Sequence, residues 1–577
     1  MSGERASPAS APRLLNVNVG LLGHVDSGKT SLARALSTTL STAALDKSPQ
    51  SVERGITLDL GFSSFTVPLP PRLAGAPFDA LQVTLVDCPG HASLIRTIVG
   101  GAQIVDLMVL VLDATKGIQT QTAECLVIGE LTTDKLVVAL NKADLVPEEG
   151  RAATLAKLQK RLSATFAATR FAGCPQVVVA ARPGGGKGPA GCAAQGLEAL
   201  VAAIVERVEL PAAEPQPLPP LLFAVDHCFA VRGQGTVATG TVLQGRVAVG
   251  QSVEVTALRR ACKVKSLQAF HRPVTEARRG DRVGVCLTQL DATLLERGLL
   301  AEPGSLHSFS CCVAAVQRIR YFRGAVPSRT RMHVSIGHVT VMAELLFFAG
   351  PAQGEKDGAQ PPAAAAAAAQ LSCQLERLAL QHRAAQLSLA GCEYEFLDQL
   401  QPAPGEEGGE ATALGSQWAL LTFDSPVVAP PNALLIGSRL DLDASVQGGA
   451  GSSACRLALH GRLAATFEAP QQPPQLRIFK RKQREGAVER WVDERTCVGR
   501  GLFKKETDIS LFEGMRVTTG AGHAGVMQGA FGKSGKYKVY FAGGVPQEQR
   551  DNPAHAAQKL LLRFKRYLGD AHGRMSQ

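Results

Sequence analysis

Two hydrophobic periods divide the chain. Through the first 208 residues, short apolar runs alternate with amphipathic stretches. Segments 14–20, 82–87, 107–112, 136–141 and 176–180 are runs of strand length with few polar interruptions, the pattern of strands covered on both faces. Segments 29–40 and 155–166 follow with helical spacing. This alternation predicts a doubly wound parallel sheet, whose ligands sit in loops at the carboxyl ends of the strands.

A proline-rich linker, 211–220, ends that region, and the period then changes. Short β-rich runs at 221–229, 236–243, 252–255 and 282–287 predict a small β-barrel ending near residue 305. A second β-rich region spans 306–469. It is interrupted by 350–370, which holds Pro361-Pro362 and the alanine run 363–369 and reads as a low-complexity surface insertion. Segment 402–415 reads as a loop. A Pro/Gln linker at 469–475 opens a last module. There, 515–519 and 537–541 alternate like strands. Strict alternation places Lys536, Lys538 and Tyr540 on one face, opposite Tyr537, Val539 and Phe541. Closure by 560–567 would make this module a third small barrel. The expected fold class is multidomain α/β plus β, with units 1–217, 218–305, 306–474 and 475–577.

Composition narrows the class. A chain of 577 residues with 45% hydrophobic content should split into about four globular domains. No apolar run reaches the roughly 18 residues of a membrane helix, so no membrane partner is expected. Residues 1–13 lack the basic-then-apolar order of a secretory signal. Thirteen scattered cysteines, with no Cys-x-x-Cys pair, fit reduced thiols in the cytosol or nucleus and argue against a zinc finger. Cys88 reads as a packing residue. Residues 476–577 hold 20 Lys+Arg against 10 Asp+Glu, so nearly all of the chain's net charge of +11 lies there. A near-neutral body with a basic module points to a polyanion partner, RNA first.

The chemistry lies in four ordered motifs: Gly23-His24-Val25-Asp26-Ser27-Gly28-Lys29-Thr30, Arg54-Gly55-Ile56-Thr57, Asp87-Cys88-Pro89-Gly90-His91 and Asn141-Lys142-Ala143-Asp144. The first lies between a strand and a helix, where backbone N–H groups of Asp26, Ser27 and Gly28 can face phosphates. Lys29 would reach the β/γ oxygens and Thr30 would ligate Mg²⁺. Asp87 is placed to hold the ion through water, and Thr57 would complete its shell with GTP bound. The Gly90 amide can sense the γ-phosphate, so segment 53–57 reads as a ligand-ordered switch. Asn141 and Asp144 would select guanine, because a carboxylate accepts from N1–H and N2–H₂. The Lys142 stem would lie along the base. His91 is the candidate for positioning the attacking water, with Val25 and Ile56 as an apolar gate. GTP/GDP and Mg²⁺ are the expected cofactors.

Together these motifs resemble those of the translational GTPases. A nucleotide domain followed by two β-barrels resembles the elongation factor Tu branch, in which three domains hold an aminoacyl-tRNA. The resemblance covers roughly residues 14–474. After Val179 the chain has Ala180-Ala181-Arg182 where the usual pattern is Ser-Ala-Lys, leaving the Ala181 amide to meet the guanine oxygen. A short segment before Thr57, an added basic domain, Val225-Asp226-His227-Cys228-Phe229 and Gly280-Asp281-Arg282 resemble the selenocysteine-specific elongation factors (SelB type), most closely the eukaryotic form.

That resemblance implies delivery of selenocysteyl-tRNA to the ribosome at recoded UGA codons, with GTP hydrolysis on correct decoding. By the same resemblance, Arg282 and His227 would flank the selenolate and Asp226 would orient them. The added domain would meet the tRNA, the ribosome and the insertion-element RNA with its binding protein. Lys480, Arg481, Lys482, Arg484, Lys504, Lys505, Arg563, Lys565 and Arg566 are the candidate phosphate contacts. The cluster at 480–484 can instead serve nuclear import, adding the nucleus to a cytoplasmic location. A monomer is the usual state of this architecture. Two alternatives stay open: an elongation or initiation GTPase for a standard aminoacyl-tRNA, and a GTP-regulated RNA-binding scaffold.

Overall fold

The computed structural model describes residues 13–40, 60–89, 104–167, 169–183, 193–211, 215–337, 339–350, 392–402, 417–440, 455–469, 472–532, 535–551, 559–569 and 575–577, with 384, 387 and 389. Strands β1 (Leu14–Leu22), β2 (Thr39–Leu40), β3 (Gly61–Pro68), β4 (Ala80–Asp87), β5 (Leu107–Asp113), β6 (Leu136–Asn141) and β7 (Gln176–Val178) form one sheet, ordered β2-β3-β4-β1-β5-β6-β7. From β4 to β7 neighbouring strands are parallel, while β2 and β3 add an antiparallel edge. Every residue of β5 and β6 is buried, which is why those runs carry almost no polar side chains. Helices α1 (Lys29–Leu36), α2 (Thr120–Thr132), α3 (Arg151–Phe166) and α4 (Leu197–Glu206) belong to this domain.

One expected helix is shorter than its pattern. The helical spacing of 29–40 predicts a continuous helix, yet α1 stops at Leu36 and Thr39–Leu40 pairs with β3. The Ser37 hydroxyl bonds back to Ala33 O and also to Ser63 Oγ at 2.7 Å, while Thr38 N donates to Ser64 O at 3.0 Å. Hydroxyl back-bonding and two β-branched residues favour the extended edge over another helical turn.

Three rings of strands follow. β8 (Leu222–Val231), β9 (Gly235–Gln244), β10 (Arg246–Ala248), β11 (Ser252–Val255), β12 (Arg260–Ala269), β13 (Arg272–Val274), β14 (Glu276–Arg278), β15 (Arg282–Leu287) and β16 (Gly298–Ala301) build the second domain. Its sheet runs β11-β16-β8-β9-β15-β12 and closes through β11–β12. The third domain contains β17 (Ser308–Arg318), β18 (Thr330–Ile336), β19 (Val339–Ala349), β20 (Glu393–Leu397), β21 (Gln417–Val428), β22 (Leu434–Ser438) and β23 (Leu457–Phe467). It closes through β18–β19. The alanine run 363–369 lies outside the described residues.

The basic module contains β24 (Arg477–Trp491), β25 (Thr496–Arg500), β26 (Arg516–Thr519), β27 (Ala524–Ala530), β28 (Tyr537–Tyr540), β29 (Lys559–Tyr567) and β30 (Met575–Ser576). β29 pairs with both β24 and β26, so the module closes as a ring. Strict alternation holds in β28: Tyr537, Val539 and Phe541 are buried, and Lys538 and Tyr540 are half-buried. A parallel pairing of β20 with β24 joins the third domain to the last.

The nucleotide domain is docked on both adjacent barrels. Asn16 Nδ2 donates to Asp281 Oδ1 at 2.5 Å, and Asn18 Nδ2 donates to Gly280 O at 3.1 Å. On the other side, the Glu124 carboxylate of α2 accepts from Arg456 N, Nε and Nη2 at 3.1, 2.9 and 2.8 Å. Both side chains are buried. Removing one partner leaves the other charge desolvated and unpaired. Arg456→Met should therefore cost about 3–5 kcal/mol in urea unfolding, and adding Glu124→Leu should recover most of the loss.

Candidate functional site: a nucleotide loop and an arginine cleft

In the phosphate-loop motif, Val25, Lys29 and Thr30 are fixed by specific hydrogen bonds. Gly23 and Gly28 have φ of 150° and 90°, the left-handed region that a side chain disfavours. A Cβ at Gly28 would meet Asn141 Nδ2 at 2.3 Å, so only glycine lets the two loops approach. Lys29 is buried at the start of α1, and its Nζ donates to Gly23 O at 3.0 Å and His24 O at 2.8 Å. Burial lowers the Lys29 pKa, with Asp87 opposing that effect. Thr30 Oγ1 donates to Asp87 Oδ2 at 2.6 Å, which joins the two predicted metal-binding oxygens. Asp26 is exposed, Ser27 is buried, and Val25 is half-buried with its N–H on Gln121 Oε1 at 3.2 Å.

Asn141 ties three motifs together. Its Nδ2 donates to Ser27 O at 2.9 Å, and its Oδ1 accepts from Ala181 N at 3.1 Å. Lys142 adopts a left-handed backbone and forms an ion pair with Asp113 at 2.9 Å. Burial would raise the Asp113 pKa, but hydrogen bonds from Lys142 and Thr115 hold it below the usual value. Asp144 is half-buried at the same rim. Cys88 is fully buried and burial pushes its thiol pKa up, in keeping with a packing role. Ile56, Thr57, Gly90 and His91 lie outside the described residues. Asp113 and Gln121 escaped sequence reasoning. An acid ending a strand between two motif strands was the available signal for Asp113; Gln121 had none.

The second site lies in the first barrel. A cleft of about 210 Å³ is lined by Phe229, Gln268, Phe270, His271 and Arg282, among others. Arg282 is 4% exposed and pairs with Asp226, which is 1% exposed. Burial lowers the Arg282 pKa, and Asp226 opposes the shift. Only Nη1 is used in that pair: Arg282 Nε and Nη2 and Asp226 Oδ1 are buried without hydrogen-bond partners among the described residues. His227 turns from the cleft toward the nucleotide domain, where its Nε2 lies 3.2 Å from Leu60 O. Phe62 of β3 covers the guanidinium, its ring centroid 3.1 Å from Arg282 Cζ. Sequence reasoning missed Leu60 and Phe62, which look like ordinary strand residues.

The nine basic candidates of the last domain divide. β24 and β29 are antiparallel, with Lys480 opposite Arg566, Arg481 opposite Lys565 and Gln483 opposite Arg563, so two runs 80 residues apart become one basic ribbon. Three members are engaged by acids of the third domain: Lys480 with Asp398 at 2.5 Å, Arg481 with Glu395 at 2.9 Å and Lys565 with Glu393 at 2.7 Å. Arg484 donates to Leu502 O and its guanidinium lies over Phe503, Phe512 and Phe564. Arg563 donates to Gln483. Lys482, Lys504, Lys505 and Arg566 are exposed and carry no ion pair among the described residues.

Comparison with known proteins agrees with this architecture. Family models match in chain order: the elongation factor Tu GTP binding domain at residues 15–260, elongation factor Tu domain 2 at 235–298, the third domain of eukaryotic selenocysteine-specific elongation factor at 313–461, and the eEFSec C-terminal RIFT domain at 474–573. The selenocysteine-specific elongation factor of Mus musculus is 46% identical, covering 98% of this chain and 100% of that protein. Its counterpart in Methanocaldococcus jannaschii is 35% identical, covering 57% of this chain and 66% of that protein. The crystal structure of translation elongation factor SelB from Methanococcus maripaludis with a GTP analogue has a TM-score of 0.65 at 23% identity, covering 96% of this chain and 100% of that one, a likeness of fold.

The loop tie is open to direct test. Asn141→Ala removes both of its hydrogen bonds, and affinity for GTP and GDP should fall about tenfold or more in a titration with fluorescent nucleotide. Unchanged affinity would mean that the phosphate and base loops hold their positions without Asn141.

Proposed function

The chain belongs to the selenocysteine-specific elongation factors of the eukaryotic type, GTP-binding translation factors that serve selenocysteine incorporation, and from this premise we propose how its residues divide the work. GTP sits against the amides of Asp26, Ser27 and Gly28 and the ammonium of Lys29, with guanine read by Asn141, Asp144 and the Ala181 amide. The Lys142–Asp113 pair supports this by holding the base loop in its left-handed turn. The oxygens of Thr30 and Asp87, adjacent and hard, fit Mg²⁺, joined by Thr57 in the GTP state. An ion held by these residues would supply positive charge against the nucleotide's phosphates. His91 orients the attacking water once Val25 and Ile56 part.

The barrel cleft takes the aminoacyl end of selenocysteyl-tRNA. The observation that carries this reading is the Arg282 guanidinium, a buried cation whose Nε–H and Nη2–H lie along one edge of the planar group and have no partner among the described residues. Unpaired buried donors are costly, so an anionic ligand gains what the protein leaves unsatisfied. A selenol is more acidic than a thiol and is ionised near neutral pH; a serine hydroxyl is neutral. Asp226 fixes the guanidinium from the opposite side, and His227 borders the site from the domain joint.

The loaded factor then delivers its tRNA to the ribosome at recoded UGA codons. The exposed cations Lys482, Lys504, Lys505 and Arg566 meet RNA phosphates of the tRNA, the ribosome or the insertion-element complex. The cations paired with Glu393, Glu395 and Asp398 hold the last domain on the third. The free thiols among the described residues, mostly buried, fit a reducing compartment, the cytoplasm or also the nucleus.

Arg282→Ala should weaken binding of selenocysteyl-tRNA about ten- to a hundredfold in equilibrium titrations of the GTP-loaded protein. Binding of seryl-tRNA, built on the same tRNA, should stay within about twofold. Equal losses for both would contradict charge reading by Arg282.

A further inference from the structure

The cation of the cleft belongs to the barrel, but the group covering it does not. Phe62 lies on β3 of the nucleotide domain and is fully buried. Its ring centroid is 3.1 Å from Arg282 Cζ, close enough for the ring to cover one face of the guanidinium. The same ring meets His227 edge-on, with centroids 6.3 Å apart and planes at 86°. Two residues earlier, the Leu60 carbonyl is 3.2 Å from His227 Nε2. One short piece of the nucleotide domain therefore touches Arg282 of the cleft and His227 at the domain joint.

We infer that Phe62 is a specificity-determining wall of that pocket, supplied by the nucleotide domain. The warrant is geometric. Asp226 takes Nη1, and Phe62 covers a face of the plane. The Nε/Nη2 edge is what remains for an anion. An aromatic face stabilises the cation without consuming an N–H, and it keeps water from competing with the ligand. An acid at the same place would neutralise Arg282; a small aliphatic would admit water. Both lower the advantage of a selenolate over a neutral hydroxyl. This inference rests on the reading of Arg282, Asp226 and His227 as the amino-acid pocket.

Phe62 is also rigidly placed with respect to the nucleotide. β3 pairs antiparallel with β4, setting Phe62 opposite Val86 and Gly61 opposite Asp87. Asp87 in turn accepts from Thr30 beside the phosphate loop. The wall of the amino-acid pocket and the floor of the nucleotide site are neighbouring positions of one sheet. Discrimination among charged tRNAs therefore depends on the barrel staying docked against that sheet.

The test uses the full chain loaded with a non-hydrolysable GTP analogue and one tRNA carrying selenocysteine or serine. Phe62→Leu should lower the preference for the selenocysteyl form about tenfold, leave seryl-tRNA binding within about twofold, and keep the nucleotide affinity. Phe62→Tyr, which retains the ring, should keep the preference. A preference unchanged in Phe62→Leu but lost in Arg282→Ala overturns the wall and leaves the pocket standing. A preference unchanged in both variants overturns the pocket reading itself. Equal losses for both charged tRNAs in Phe62→Leu reduce Phe62 to a packing residue and overturn the inference. If Phe62→Leu proves too unstable to assay, Phe62→Tyr and Phe62→Trp decide it: loss of preference with the ring present contradicts it.

Discussion

A buried guanidinium can be held in place only if nearly every direction around it is accounted for. Arg282 imposes that constraint on the joint between the nucleotide domain and the first barrel. Asp226, on β8 and so separated from β15 by β9, supplies the counter-charge, and Phe62 covers the group from the other domain. Its Nε and Nη2 have no hydrogen-bond partner among the described residues, an arrangement that costs stability. The joint is thus a docking surface and, on the proposed reading, a binding surface as well.

The same economy recurs elsewhere. Asn141 does not merely stand beside the base; it bridges the phosphate loop and the segment at Ala181, so the nucleotide site is one bonded unit. α2 carries Gln121, which holds the phosphate loop at Val25, and Glu124, which grips Arg456 of the third domain three residues later. In the last domain, charge that looks like an RNA patch is divided between internal and external uses. Glu393, Glu395 and Asp398 engage part of it at the joint with the third domain, while an exposed remainder faces solvent.

Legibility followed the range of the interactions. The parallel strands could be read because burial on both faces leaves continuous apolar runs, as in β5. The phosphate loop could be read because its glycines answer a local backbone demand. The end of α1 was misjudged because a hydroxyl back-bond and an edge pairing with β3 override its helical spacing. The basic runs at 480–484 and 563–566 were visible, but not their register, which closes a ring across some 80 residues, nor their acidic partners. Phe62 and Leu60 left no trace in the pattern, since a strand residue that faces another domain looks like one that faces its own core. Arg282 drew attention through resemblance; its pairing and its two unpartnered donors needed coordinates.

The central claim is that this factor recognises its charged tRNA by the negative charge of the amino acid. The most direct measurement is the affinity of the GTP-loaded protein for selenocysteyl-tRNA and seryl-tRNA, on the same tRNA, as pH is lowered through the ionisation of the selenol. Affinity for the selenocysteyl form should fall toward that of the seryl form as the selenolate is protonated, while the seryl curve stays flat. Two parallel curves, with the preference intact after the charge is gone, would contradict the account.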